Sequence, residues 1–108
     1  HKAYPPACFE PARAKLAEAM EAARQSPSPE YAERVRFLQI GLEHARLTVD
    51  LAAAFDGNRR VPEERMATAR EALNVLVRFR KAHQDTYFSD LLWVTNFWER
   101  PRWDLDAL

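Results

Sequence analysis

The sequence predicts an all-α fold, a three-helix up-down-up bundle closed by a short aromatic fourth helix, and three observations predict it. Seven prolines fall in clusters, at Pro5-Pro6, Pro11, Pro27, Pro29, Pro62 and Pro101, while only two glycines occur, Gly41 and Gly57, which is how helix boundaries are punctuated. Between those marks, apolar residues recur at steps of three and four. Past Asp85 the alanines give way to Tyr87, Phe88, Trp93, Phe97, Trp98 and Trp103, so all three tryptophans lie in the closing segment.

The first helix is expected from Glu10 to Arg24, with Pro11 in its first turn, where no donor is lost. Its inner stripe is Phe9, Ala12, Leu16, Ala19, Met20 and Ala23. Ser26-Pro27-Ser28-Pro29-Glu30 makes the turn, Ser28 as N-cap and Glu30 set against the helix dipole. The second helix, Pro29 to Phe55, carries two apolar stripes. Tyr31, Val35, Leu38, Leu42, Ala45, Val49 and Ala52 form one, and Phe37, Ile40, Leu47, Leu51 and Ala54 the other. At 100° per residue they point to opposite sides, so this helix is expected to be buried on both faces. Gly57 supplies the left-handed residue after it. Pro62-Glu63-Glu64 opens a third helix that runs to about His83, with Met66, Ala69, Leu73, Leu76 and Val77 inward and Val75 and Phe79 widening the arc. Ser89 caps a fourth helix over Asp90 to Trp98, which Pro101 ends.

With 108 residues, the chain reads as one helical domain over residues 1–108, long enough to bury about three fifths of its unfolded surface. Sixteen basic residues balance sixteen acidic ones, so no long-range field draws polyanions and nucleic acid is not an expected partner. Cys8, the one cysteine, cannot close an internal disulfide. No apolar run reaches the roughly 20 residues of a membrane span. The start at His1 in place of methionine reads as a piece of something longer, whose first residues could be a tag remnant. Thirteen of the sixteen basic residues are arginine, a bias that suits GC-rich codon usage and a bacterial source.

Chemistry-bearing constellations are sparse. His44 and His83 lack the local pairing and further ligands a metal site needs, so no metal or other cofactor is expected. His44 reads as a hydrogen-bonded structural residue, His83 as a partner of a helix C-terminus. Cys8 has no activating neighbour in sequence and reads as a small half-buried apolar residue. Ser26, Ser28 and Ser89 sit at turns or caps, and two glycines cannot build a phosphate loop. Asp85, Asp90, Glu99, Asp104 and Asp106 gather near aromatics, the one arrangement that resembles a sugar-hydrolase site, yet caps and solvated charges explain them more simply. No catalytic residue is assigned. The aromatic tail remains: Trp93 is expected in the core, while Trp98, Trp103, Phe97, Arg100 and Arg102 are the candidate interaction residues.

The stretch Arg34 to Thr48 (RVRFLQIGLEHARLT), after a Tyr4-Pro5-Pro6 start and an alanine-rich first helix, resembles the helical C-terminal region of large uncharacterised bacterial proteins that look like alpha-glucuronidase-related glycoside hydrolases. The likeness covers about Tyr4 to Trp98. It implies that the reaction belongs to an upstream barrel, that no catalytic residue carries over, and that the parent is exported and acts on polysaccharide. The expected function is a non-catalytic accessory domain, excised from the C-terminal part of its parent and docking on that upstream domain or on a second subunit. The alternative is a carbohydrate-binding module that uses its C-terminal tryptophans.

Overall fold

The computed structural model describes residues 6–84 and 99–108. It is all-α, with three helices packed in sequence order: α1 (Phe9–Arg24), α2 (Pro29–Phe55) and α3 (Met66–Ala82). Single 3-10 turns at Pro6–Cys8, Glu63–Arg65 and Leu105–Ala107 precede α1, lead into α3 and close the chain. The fourth helix expected over Asp90 to Trp98, and Trp93 with it, lie outside the described residues. Contacts group the chain into two compact units, residues 1–46 and residues 47–108, with the boundary inside α2.

In the first unit α1 lies antiparallel to the N-terminal half of α2. The turn at 25–28 is closed by Gln25 N–H and Ser26 N–H donating to Ala22 O and Ala23 O, and by Ser28 N–H donating to Ser26 Oγ at 3.3 Å. Arg13 then reaches Glu43 across the pair at 3.0 Å. The predicted inner stripe of α1 faces inward: Phe9 and Ala23 are buried, and Ala12, Leu16, Ala19 and Met20 half-buried. From α2 only Val35 is fully buried in this unit. The expectation that α2 is buried on both faces is corrected for its N-terminal half, where Tyr31, Phe37, Leu38 and Ala45 are exposed; further along, Val49 of one stripe and Leu47, Leu51 and Ala54 of the other are all buried. With six alanines among its 16 residues, α1 has the bulk to cover one side of a helix and not two.

The second unit holds the main core. Leu47, Leu51, Ala54 and Phe55 from α2 meet Ala69 and Leu76 from α3, with Val61 and Leu105 from the connecting and C-terminal segments. Half-buried Met66, Leu73, Val75, Phe79, Trp103 and Leu108 pack against that cluster. Gly57 takes the predicted left-handed conformation (φ 81°), and Asp56 before it does so too (φ 46°). Aspartate is one of the few side chains that tolerates this region. The third helix does not begin with Pro62: Glu63–Arg65 form a 3-10 turn, and regular α geometry starts at Met66. Arg65 breaks the run at φ −110°, ψ 2°, while its side chain turns back to the α2 C-terminus, 3.4 Å from Ala53 O and 4.0 Å from an Asp56 carboxylate oxygen.

Candidate functional site

The C-terminal segment, where the sequence places its candidates, is fastened to the second unit by four kinds of contact. Glu99 comes first. The inner stripe of α3, Met66, Ala69, Leu73, Leu76, takes its next step of four at Arg80, so the guanidinium enters the core. Arg80 is 0 % exposed and Glu99 4 %. The two form a bidentate pair, Nη2 donating to Oε2 at 2.9 Å and Nη1 to Oε1, the fork geometry that suits arginine and carboxylate. Glu99 is placed by its own backbone, since its carbonyl accepts from Arg102 N–H and Trp103 N–H, both at 2.9 Å.

That turn delivers Trp103 onto Phe55, ring centroids 5.0 Å apart and planes inclined by 14°, an offset stack at the end of α2. Asp104 follows, its N–H donating to Arg59 O at 2.8 Å and its carboxylate accepting from Arg60 Nε at 2.8 Å. The Arg60 hydrogen bond, aided by the arginine's charge, holds the Asp104 carboxyl below its usual range against a small opposing cost of burial. Leu105 then enters the core and Arg100 pairs with Asp106 on the surface.

The described acids near the aromatics are each engaged by a cation. Glu99, Asp104 and Asp106 each bond to an arginine, and Asp85 and Asp90 lie outside the described residues. For Asp104, whose carboxyl Arg60 holds below its usual range, the ionised form is favoured and proton donation is correspondingly poor. Among the described residues no group of three or more His, Cys, Asp or Glu is placed to hold a metal ion. Of the candidate interaction residues, Arg100 and Arg102 are exposed, Trp103 is half-buried against its own core, and Trp98 and Phe97 lie outside the described residues. Cys8 is exposed, not half-buried as its composition suggests, because Phe9 takes the inward position at that end of α1. His83 follows α3 as expected, its N–H donating to Phe79 O at 3.1 Å and its ring against Phe79. His44 is half-buried on α2.

A second surface, in the first unit, leaves large apolar side chains exposed. Tyr31, Phe37 and Leu38 are 51 %, 47 % and 56 % exposed, and Phe37 and Leu38 form one wall of a shallow apolar groove floored by Ala12, Leu16, Gly41 and Leu42. Lys15 borders the groove on the α1 side, and Glu30, Glu33 and Arg34 flank Phe37 and Leu38 towards the start of α2. Across the hairpin, Arg13 bridges Glu10 and Glu43, and Arg46 also holds Glu43. The Arg46 hydrogen bond, with help from both arginine charges and Arg13's own hydrogen bond, lowers the Glu43 carboxyl against a partial cost of burial. The sequence carried a signal for this face: α2 bears two apolar stripes, while α1, with six alanines in 16 residues, offers it one.

Compared with protein-family models, with curated proteins and with solved structures, the chain finds no match.

Proposed function

We propose that this chain is a non-catalytic helical interaction domain that docks on a neighbouring domain through the apolar face of the α1–α2 hairpin. The observation that carries the reading is the exposure of Tyr31, Phe37 and Leu38 beside a groove floored by small and apolar residues. With aromatic side chains of about 150 to 250 Å² half uncovered, Tyr31 and Phe37 leave on the order of 200 Å² of surface, and Leu38 adds to it. A free partner needs roughly 800 Å² on each side for a stable complex, so this face alone would hold one weakly. A neighbour in the same polypeptide faces no such demand, because tethering supplies an effective concentration of about millimolar. The resemblance of Arg34 to Thr48 to helical regions behind a glycoside-hydrolase-like barrel makes such a catalytic domain the expected neighbour.

Hydroxyl-radical footprinting tests this directly. Oxidation of Phe37 and Leu38 is compared between this chain alone and the longer polypeptide with the upstream domain attached. A several-fold drop in the longer polypeptide, with Cys8 as an internal reference, is the expected result. Equal oxidation in both would overturn the docking reading.

A further inference from the structure

We draw no further inference here: the strongest candidate, the apolar groove between Phe37, Leu38 and the α1 side chains of the first hairpin, belongs to the surface already described, and nothing in the structure shows which partner covers it.

Discussion

Replacing Glu99 by leucine is the sharpest test of how the C-terminal segment is held. The substitution removes the carboxylate and leaves the Arg80 guanidinium, whose side chain is 0 % exposed, without the bidentate partner it has now. Breaking a buried pair from one side costs about 3–5 kcal/mol, mainly because a dehydrated charge is left uncompensated. In a domain of this size each kcal/mol moves Tm by about 4–8 °C, so a fall of at least about 12 °C is expected. The companion variant R80M/E99L replaces both partners with apolar groups of similar bulk. If the cost of E99L is that of an orphaned charge, the double variant recovers most of it, because swapping a buried pair for apolar packing is often neutral or better. Melting followed by far-UV circular dichroism and by tryptophan fluorescence gives both numbers, and the double-mutant cycle gives the coupling. A loss below about 1 kcal/mol for E99L would refute the buried pairing, given the cost that burial places on a lone charge. A double variant as unstable as E99L would show that shape, not charge, is what Glu99 contributes.

The other predictions address the second surface, the stack, the acid limb and the inter-helix turn. F37S/L38S should change the stability of the isolated chain by about 0.5 kcal/mol or less, as exposed substitutions do, while removing the proposed docking on an upstream domain, read by limited proteolysis of the longer polypeptide. Trp103→Ala removes a half-buried ring stacked on Phe55; since a fully buried tryptophan costs about 3–5 kcal/mol, denaturant titration should show roughly half that loss. Asp104 and Glu43 both have lowered pKa values, below the ordinary 3.8 and 4.5, so their contributions are complete above those values and vanish as pH falls through the lower folded ones. Thermal melts from about pH 2 to 7 should therefore show the steepest loss below those ordinary values, and Asp104→Asn should flatten that limb. Gly57→Ala meets open space but must hold φ 81°, so chemical denaturation should report a loss of about 1 kcal/mol from backbone strain alone.

Helix positions were legible because proline and spacing act locally. Pro29 to Phe55 emerges with the predicted ends, and α1 differs by one residue at its start. The inner residues of α1 and α3 followed for the same reason, a single apolar stripe leaving one choice of face. The α2 stripes were visible, but their coverage was not, since that depends on the bulk of the neighbour and not on α2 itself. Arg80 shows a different limit. Its place on the core seam is plain from the step after Leu76, yet the pattern reads arginine as polar and assigns it to solvent, whereas a carboxylate 19 residues away along the chain pairs with it in the core. The start of α3 was missed because Glu63–Arg65 take up a 3-10 turn before regular α geometry begins at Met66, a difference that proline and two acids in the first turn do not signal. The exposed face of the first hairpin was missed because the tryptophans drew attention by their rarity, while Phe37 and Leu38 looked like ordinary members of a stripe.

The Arg80–Glu99 pair also has a consequence for how this protein can change over time. Two residues must change together to replace the pair by apolar packing, and changing Glu99 alone removes the bidentate partner of a guanidinium held in the core. The route to a simpler interior runs through a valley. A pair of this kind, once acquired, can persist in a lineage without being the best solution, because each half makes the other irreplaceable.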